Sequence, residues 1–350
     1  MTRKIKVGKA EIGGGAEISI QSMTNVYTGD VSKTVAQIHA LEDAGCEIIR
    51  VAVPDMASAE AIDKIKEQIS IPLVADIHFD YRLALECIKR GVDKVRINPG
   101  NIGSMDRVKA VADAAKAKGI PIRIGVNGGS LEPELLKKYG RPCPDAMVES
   151  AIGHIELLEK CDFYDIAVSL KISDVPSTVK AYRLMAERCD YPLHLGVTEA
   201  GTEWGGTIRS AMGIGALLLD GIGDTLRVSL TSDPVREVVV AKEILRSAGL
   251  RDNGIRVVSC PTCARCRINM IPIAEEITER VKVFSKPMKI AVMGCAVNGP
   301  GEARDADIGV AGGDGCGLIF KKGEILRKVP EEKIVEEFLS EIEKMQVQDK

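Results

Sequence analysis

Aromatic side chains are scarce in this chain of 350 residues. Phe, Tyr and Trp together make up 3% of the sequence, and tryptophan occurs once. Proteins that bind single-stranded nucleic acid stack the bases on aromatic rings. A chain with so few rings offers little for that mode of binding.

The chain also lacks an excess of charge of either sign and lacks long apolar runs. It has 47 basic and 50 acidic residues, a formal net charge of -3, which indicates no basic surface for nucleic acid. No apolar run approaches the ~20 residues of a membrane span, and no apolar segment follows the basic residues near Met1. We therefore predict a cytoplasmic protein that binds neither nucleic acid nor a membrane.

Cysteine, by contrast, is abundant, with ten residues. The cytosol keeps thiols reduced, so we interpret the cysteines as free thiols or metal ligands and not as disulfides. Five of them fall in apolar helix or strand contexts or in a proline turn, which is typical of structural residues. The five that crowd into the last hundred residues are Cys260, Cys263, Cys266, Cys295 and Cys316.

From about residue 17 to residue 250 the sequence repeats one pattern, a short apolar strand followed by an amphipathic helix. The predicted strands span residues 18–22, 48–53, 72–77, 94–97, 121–126, 164–172, 193–197 and 225–230. The helices between them carry apolar residues at a spacing of three or four. Eight such units predict a (β/α)8 TIM-type barrel in the α/β class, and a doubly wound open sheet is the alternative.

Residues from about 251 onward break this pattern. The predicted strands lie at 255–258, 289–293, 308–311 and 318–320, and the predicted helices lie at about 268–281 and 331–345. This arrangement is typical of a compact α+β module. We therefore predict two domains, a barrel at 1–250 and a smaller α+β domain at 251–350 that carries the cysteine motifs.

Cations recur inside the predicted barrel strands, where apolar residues are expected. They are Arg50, Arg96, Arg123, Lys171 and Arg227, and the neutral donors Asn98, Asn127 and Ser229 stand close to them in the sequence. A buried unpaired charge is strongly unfavourable, so cations that point to one mouth indicate a bound anion. Because the guanidinium fork suits phosphate, we predict a small ligand with a diphosphate. The alternative is that each arginine pairs with a carboxylate such as Asp76 or Glu199.

Acid–base candidates also stand at the ends of predicted strands. Asp76 and His78 follow the third strand, and His194 and Glu199 belong to the seventh strand and its loop. Each could accept or donate a proton at the barrel mouth. The other two histidines lie on predicted helices and are interpreted as structural.

The cysteine motifs near the carboxyl terminus predict a metal centre. Cys260 and Cys263 form a C-x-x-C pair, and Cys295 follows in a glycine-bearing turn. Zinc would need a second close pair or histidines, and no histidine occurs after His194, so an iron–sulfur cluster fits better. The candidates for a fourth ligand are Glu302, Cys266 and Cys316. A carboxylate binds cluster iron less firmly than a thiolate, so it could exchange for a substrate oxygen.

Longer motifs resemble those of the bacterial hydroxymethylbutenyl diphosphate synthase family of the methylerythritol phosphate route to isoprenoids. They are QSMT (21–24), VADIHFD (74–80), RINPGNIG (96–103), IRIGVN (122–127), GDTLRVSL (223–230), SCPTC (259–263) and NGPGE (298–302). The resemblance runs from near residue 5 to about residue 345. It implies a reductive ring opening, in which methylerythritol cyclodiphosphate takes up two electrons, loses water and becomes a linear allylic diphosphate.

The resemblance also implies a cofactor, partners and roles for site residues. It implies a [4Fe-4S] cluster held by Cys260, Cys263, Cys295 and Glu302, with Glu302 on the iron that meets the substrate. It implies that the eight cationic and neutral barrel residues named above bind the diphosphate, with Glu199 beside the reacting carbons as a candidate proton donor. Electrons would come singly from ferredoxin or flavodoxin. The cluster domain of one subunit would cap the barrel of the other in a homodimer.

Two other functions stay open on the residues alone. A phosphate-binding barrel could carry an electron-transfer or zinc module that mediates protein contacts. Alternatively, a cluster enzyme could catalyse a dehydration without any reductant.

Cys266 is one departure from the family pattern, which has a different residue at that position.

Overall fold

A computed structural model of the chain describes residues 1–251, 254–296 and 303–347. The chain divides into two compact units, Met1–Leu250 and Arg251–Lys350. Within the three described stretches, no helix is both long and apolar enough to cross a lipid bilayer.

The first unit is a closed barrel of parallel strands. The barrel strands are β3 (Ser19–Met23), β4 (Ile48–Ala52), β5 (Leu73–Asp76), β6 (Lys94–Ile97), β7 (Ile122–Asn127), β8 (Ile166–Lys171), β9 (His194–Leu195) and β10 (Thr225–Leu226). They are preceded by β1 (Ile5–Val7) and β2 (Ala10–Ile12). Hydrogen-bonded neighbours follow the order β8-β7-β6-β5-β4-β3-β10-β9, and a parallel bridge between Val168 and Leu193 joins the two ends. The predicted TIM-type barrel is confirmed, and the open sheet is excluded because the order closes on itself.

Helices alternate with these strands. They are α1 (Val31–Ala44), α2 (Met56–Glu60), α3 (Ile62–Lys66), α4 (Tyr81–Lys89), α5 (Pro99–Ile102), α6 (Met105–Lys118), α7 (Pro133–Tyr139), α8 (Pro144–Glu159), α9 (Val175–Arg188), α10 (Glu203–Leu219) and α11 (Pro234–Ser247). In α1, Asp30 accepts a hydrogen bond from the Lys33 backbone N–H at the start, and Gly45 ends the helix with a φ of 94°. Side-chain capping by Asp30 and the left-handed conformation of Gly45 therefore set the two ends of α1.

The barrel core lies between the strands and the surrounding helices. Ile49 and Val51 of β4 belong to the same buried cluster as Ile38 and Leu41 of α1. Each aliphatic side chain buried in this way stabilises the fold by about 1.5–3 kcal/mol. Since side chains alternate along a strand, Arg50 faces the barrel interior.

A short hairpin closes the amino-terminal end of the barrel. Strands β1 and β2 pair antiparallel, with Ile5 opposite Ile12. The apolar residues of the hairpin form a buried cluster with strand residues near that end, and the cluster comprises Ile5, Val7, Ile12, Ile48, Val74 and Ala167. Sequence reasoning missed this hairpin, which leaves the carboxyl-terminal mouth as the side from which a ligand enters.

The second unit has a mixed sheet with helices packed on it. Its elements are β11 (Ile255–Ser259), α12 (Met270–Arg280), β12 (Met288–Met293), β13 (Ile308–Gly313), β14 (Cys316–Lys321), β15 (Glu324–Pro330) and α13 (Ile334–Val347). Strands β11, β12 and β13 run parallel, and β14 and β15 add on antiparallel. Ile277 of α12 and Phe338 of α13 pack in one buried cluster with Ile290 of β12. The predicted α+β architecture is confirmed.

Strand β15 is the element that sequence reasoning missed in this unit. It lies at the edge of the sheet, and its apolar residues Ile325 and Leu326 are 59% and 50% exposed. Adjacent apolar residues that are both exposed do not follow the alternation of a half-buried strand. The pairing of β15 is therefore decided by its hydrogen bonds to β14 and not by a local pattern.

A contact between the half-buried Glu132 and the buried His154 fastens the segment that follows β7. Glu132, just before α7, lies 2.9 Å from His154 Nε2 and accepts a hydrogen bond from Ser150 Oγ at 3.0 Å. Burial would raise the pKa of Glu132, but the hydrogen bond and charge of His154 lower it to about 2. His154 Cε1 also lies 3.0 Å from the position of a Cβ added to Gly100. Helix α8 therefore supports the segments after both β6 and β7.

We expect Glu132→Gln to destabilise the protein at neutral pH and to matter less in acid. The pKa of Glu132 is lowered from 4.5 to about 2, so its contribution is present above pH 4.5 and is lost as the pH falls toward 2. A hydrogen bond to a charged group is worth about 1.5–3 kcal/mol. The thermal unfolding midpoints of wild type and variant should therefore differ at neutral pH and converge in acid. Glu134→Gln, on the exposed side of α7, is the control, and a gap independent of pH contradicts the prediction.

Candidate active site

Basic side chains from several strands meet inside the barrel. Arg96 on β6 and Arg123 on β7 are both 0% exposed, and Arg50 on β4 is 3% exposed. Lys171 ends β8 and Arg227 follows β10, and both are half-buried. Register explains the grouping, because Arg96 pairs with Arg123 across the two neighbouring strands.

Asp76 neutralises part of this charge. Its carboxylate lies 3.0 Å from Arg96 Nη1 and 3.5 Å from Arg50 Nε, and it is 3% exposed. Burial alone would raise the pKa of Asp76, but Arg50 and Arg96 hold it well below its ordinary value. Asp76, a candidate acid or base from the sequence, therefore serves here as a permanently ionised partner of two arginines.

Glu237 is a second buried carboxylate, which sequence reasoning missed. It lies on α11 and contacts Arg227 Nε and Nη2, each at 3.3 Å, and it accepts a hydrogen bond from the Leu230 backbone N–H at 3.0 Å. Arg50, Arg96 and Arg227 therefore pair with carboxylates, as in the alternative interpretation, but two carboxylates balance only part of the charge on three arginines. Their carboxylates come from the protein, and the partner of Arg227 is Glu237 and not Glu199.

Arg123 differs from the other arginines. Its Nε, Nη1 and Nη2 atoms are buried, and none has a hydrogen-bond partner among the described residues. Burial lowers the pKa of Arg123 well below its ordinary value, and Arg50 and Arg96 lower it further. A buried guanidinium without partners is strongly unfavourable on its own, so its donors are suited to an anion that enters from the mouth.

Two lysines extend the cationic region. Burial first, and then Arg96 and Arg50, lower the pKa of Lys171 to about 6. Lys94, which is 1% exposed, was missed, although it stands two residues before Arg96 and so shares its side of β6. Burial and the charge of Arg123 hold the pKa of Lys94 well below its ordinary value. An entering anion would favour the protonated form of both lysines.

A cleft and a smaller cavity adjoin these cations. The cleft has a volume of about 710 Å³, and the predicted site residues in its lining are Asn127, Lys171 and Glu199. The cavity has a volume of about 50 Å³, and the predicted substrate-binding residues in its lining are Arg50, Lys171, Arg227 and Ser229. Lys171 borders both spaces. The cleft is large enough for a small cyclic diphosphate, and the cavity alone is not.

The remaining predicted substrate-binding residues lie deeper in the barrel or form hydrogen bonds with neighbouring residues. Arg96 Nη2 donates to Asn127 Oδ1 at 3.2 Å and to the Gly125 carbonyl at 3.2 Å. Asn98 is 2% exposed, and its Oδ1 accepts a hydrogen bond from the Gly100 backbone N–H at the start of α5. The side-chain oxygen of Asn98 therefore stabilises the turn after β6.

Glu199 has an unusual backbone conformation at the mouth. Its φ is 54°, in the left-handed region, which costs a non-glycine residue about 1–2 kcal/mol. Such strain persists where surrounding contacts hold it, and it is common at functional sites. Since Glu199 also lines the large cleft, it stands where an acid or base could act.

The two histidines predicted as acid–base candidates have different surroundings. His194 is 6% exposed, and its Nδ1 lies 2.6 Å from Thr225 Oγ1. Burial and the charge of Arg123 hold the pKa of His194 well below its ordinary value, so it is a neutral residue of the barrel interior. His78 is partly exposed, and its Nε2 lies 3.8 Å from Asp76 Oδ1. Burial lowers the pKa of His78 although Asp76 raises it.

In the second unit, two cysteines meet beside the turn after β12. Cys260 directly follows β11, which pairs in parallel with β12, and its Sγ accepts a hydrogen bond from the Gly294 N–H at 3.2 Å. A Cβ on Gly294 would lie 2.7 Å from Cys266 Sγ and 3.7 Å from Cys260 Sγ. Both sulfur atoms therefore approach the same glycine, where a larger residue would displace them.

The other predicted ligands lie in the same region as far as they are described. Cys263 is exposed, and hydrogen bonds from the Arg265 backbone and side chain lower its pKa. Cys295 is half-buried beside Gly294. Within 1–251, 254–296 and 303–347, no three Cys, His, Asp or Glu side chains converge as a metal site. Glu302 lies outside the described residues. The thiol-rich donor set fits an iron–sulfur group by its chemistry.

The two alternative thiols already have local contacts. Cys266 Sγ donates to the Ile268 carbonyl at 3.2 Å. Cys316 is buried at the start of β14, where a Cβ on Gly313 would lie 2.8 Å from its Sγ. Cys316 is therefore packed within the β13–β14 hairpin.

Comparison with protein families matches nearly the whole chain. Residues 2–242 match the GcpE TIM-barrel domain, and residues 256–344 match the GcpE protein C-terminal domain. A relative from Caldanaerobacter subterraneus is 61% identical over 99% of this chain and 97% of its own length. One from Ruminiclostridium cellulolyticum is 59% identical over 98% of both chains. Both are named 4-hydroxy-3-methylbut-2-en-1-yl diphosphate synthase (flavodoxin).

Solved structures show the barrel fold in distant proteins. Dihydropteroate synthase from Yersinia pestis is 12% identical, with a TM-score of 0.50 over 72% of this chain and 100% of its own. The Stenotrophomonas maltophilia dihydropteroate synthase is 13% identical, with a TM-score of 0.50 over 71% of this chain and 98% of its own. At this identity the similarity concerns the fold alone.

Proposed function

This chain belongs to the GcpE family, and from that premise we propose that it is an iron–sulfur oxidoreductase of isoprenoid precursor biosynthesis. Its substrate is 2-C-methyl-D-erythritol 2,4-cyclodiphosphate, and its product is 4-hydroxy-3-methylbut-2-en-1-yl diphosphate. The substrate takes up two electrons, its ring C–O bond breaks, and a hydroxyl leaves as water. The structural observation that carries the proposal is the buried Arg123 guanidinium, whose three nitrogen atoms have no partner among the described residues.

The barrel, residues 1–250, binds the diphosphate in this proposal. Arg123 supplies the unpaired donors, and Lys171 reaches the anion from the border between cleft and cavity. The complete set of proposed contacts is Arg50, Arg96, Asn98, Arg123, Asn127, Lys171, Arg227 and Ser229. Asp76 and Glu237 hold three of these arginines in place, so the cationic surface exists before the substrate arrives. Such preorganisation reduces the free energy lost in ordering side chains on binding.

Residues 251–350 hold the cofactor in this proposal. The proposed ligands are Cys260, Cys263, Cys295 and Glu302, and they would hold a [4Fe-4S] cluster. When bound, such a cluster delivers two electrons to the substrate one at a time, taken from flavodoxin or ferredoxin. The Gly294 N–H donates to Cys260 Sγ and would help to orient that ligand.

Glu199 is the proposed proton donor. It lines the same cleft as Lys171 and Asn127, so its carboxyl group lies beside a substrate whose diphosphate is held by the barrel. A hydroxyl is a poor leaving group until it takes up a proton, and general acids typically contribute about 10²- to 10⁴-fold to a rate. The proton from Glu199 would leave in the water released by the reaction.

We also propose that the protein is a homodimer. A groove of about 620 Å³ lies between α10 and α11, and apolar side chains form most of its lining. Met212 and Leu219 in this groove are 62% and 74% exposed, and Trp204 nearby on α10 is 81% exposed. A self-complementary apolar face of this kind suits a two-fold interface with a second copy. Analytical ultracentrifugation tests the proposed homodimer.

The cytoplasmic location of the protein stays a prediction.

An anaerobic assay tests the proposed function. The purified protein should be brown, hold about four irons per chain, and convert the cyclic diphosphate to the linear diphosphate, identified by mass, when a strong reductant is present. Turnover without reductant would instead indicate a redox-neutral dehydration. A colourless protein that holds zinc and binds the ligand without converting it would indicate a binding module.

We expect Glu302→Ala to retain much of the cluster and to lose turnover. The three thiolates would supply most of the binding free energy, and the carboxylate, which binds iron less firmly, would be the ligand that a substrate oxygen could replace. Iron content and the visible absorption spectrum measure the first effect, and product formation measures the second. Full activity of this variant would remove Glu302 from the mechanism.

A further inference from the structure

The loop that carries Glu199 is held by contacts from one helix. Between Glu199, with a φ of 54°, and Gly201, with a φ of 103°, stands Ala200, which is 1% exposed. The Ala200 carbonyl accepts a hydrogen bond from Arg209 Nη1 at 2.5 Å. Arg209 lies on α10, two turns after the helix begins.

The same helix approaches the loop closely at a second point. A Cβ on Gly201 would lie 2.9 Å from Arg209 Nη1, and a Cβ on Gly206 would lie 2.9 Å from the Gly201 carbonyl oxygen. Gly206 and Arg209 are three residues apart and so share one side of α10. The loop is therefore in contact with a rigid element along the stretch that follows Glu199.

Other hydrogen bonds tie the two ends of the loop to the barrel. The Thr198 N–H donates to the Ile172 carbonyl at 3.3 Å, and the Thr231 N–H donates to the Gly201 carbonyl at 2.9 Å. These bonds fix the loop at its ends and leave the peptide between Glu199 and Gly201 to be fixed by Arg209. Without that contact, Glu199 could relax to a right-handed or extended conformation and turn its side chain away from the cleft.

We propose that Arg209 is a positioning residue that holds the Glu199 carboxyl group at the cleft through its hydrogen bond to the Ala200 carbonyl. The inference rests on the proposed function, in which Glu199 is the proton donor. Arg209 is an exposed residue and acts through the loop backbone, so its loss affects the placement of the acid and leaves the diphosphate contacts intact. A displacement of about 1 Å at a reacting group can slow a reaction by about 100-fold.

Arg209→Ala tests the proposal, with Arg183→Ala as the matched control. Arg183 is an exposed arginine on α9 that pairs with Asp220 at 2.8 Å and does not touch the loop. We expect kcat of Arg209→Ala to fall by about 10- to 100-fold, while KM and inhibition by inorganic pyrophosphate change by less than about twofold. Arg209→Lys should recover part of the rate, because a lysine still offers a donor to the carbonyl.

A double variant separates positioning from a general structural effect. If Arg209 acts through Glu199, then Arg209→Ala combined with Glu199→Ala is no slower than Glu199→Ala alone. A wild-type kcat in Arg209→Ala, a loss confined to KM, or two effects that multiply in the double variant would overturn the proposal.

Hydrogen exchange keeps the test independent of the proposed reaction. In Arg209→Ala, amide exchange should rise in the peptide that contains residues 198–202 and stay unchanged in Arg183→Ala. If the wild type fails to convert the cyclic diphosphate, the proposed function fails whatever the exchange shows. If the wild type is active and exchange of this peptide is unaltered in Arg209→Ala, the positioning role fails alone.

Discussion

Arg123→Leu should bind the cyclic diphosphate at least about 30-fold more weakly than the wild type, because the substitution removes the guanidinium that is proposed to bind the anion. Truncation of one partner in a buried charge pair costs about 2–5 kcal/mol, so the loss can reach several thousand-fold. Protection of the protein against thermal unfolding by inorganic pyrophosphate measures the same loss without turnover. Unchanged substrate affinity would contradict the prediction.

The same substitution should leave the fold intact or stabilise it. In the absence of ligand, the three nitrogen atoms of Arg123 are buried without partners among the described residues, and leucine removes that unfavourable desolvation. The unfolding midpoint of Arg123→Leu should therefore equal or exceed that of the wild type. Arg183→Leu, on the exposed side of α9, is the control and should keep wild-type affinity. A strongly lowered midpoint would mean that Arg123 supports the fold.

Cys260→Ala should lose the cluster and all turnover. Cys260 is the cysteine whose Sγ accepts the Gly294 N–H at the adjoining ends of β11 and β12, so its loss removes a proposed ligand and a hydrogen-bond acceptor at once. We expect the variant to purify colourless, with well under about one iron per chain instead of about four. Iron analysis and the visible absorption spectrum measure this directly.

Cys316→Ala is the matched control within the same unit. Cys316 is buried in the β13–β14 hairpin, so its replacement should keep the iron content and most of the activity. Cys266→Ala tests whether Cys266 is also a ligand, because Cys266 Sγ approaches the same glycine as Cys260 Sγ. Wild-type iron content in Cys260→Ala would exclude Cys260 as a ligand, and loss of iron in Cys266→Ala would make Cys266 one.

Much of the barrel and some of its interior were predictable from local patterns. The strand around Arg50 places Ile49 and Val51 in the core between strands and helices, so alternation alone directs Arg50 inward. The same alternation places Lys94 on the side of β6 that Arg96 occupies, yet Lys94 was not predicted as a site residue. The hairpin β1–β2 and strand β15 were also missed, because short or exposed strands carry little of the alternation that identifies a buried one.

The pairing of the buried charges was not predictable. Glu237 follows Arg227 by ten residues, yet it also contacts Ser22 Oγ, which is 215 residues away in sequence. Its position in the first turn of α11 is typical of an exposed residue near a helix start, and only the packing of that helix on the barrel buries it. The left-handed conformation of Glu199 had no signal either, because this region is usually occupied by glycine.

The sequence by itself determined the barrel, the α+β unit and the kinds of residue that the site contains. These follow from local periodicity and from short motifs, which act over a few neighbouring residues. The tertiary structure alone decided that Asp76 and Glu237 pair with three arginines and balance part of their charge, and that the Arg123 donors have no partner among the described residues. Whether a buried charge has a partner depends on distances between side chains far apart in the chain, and only the closed barrel sets those distances.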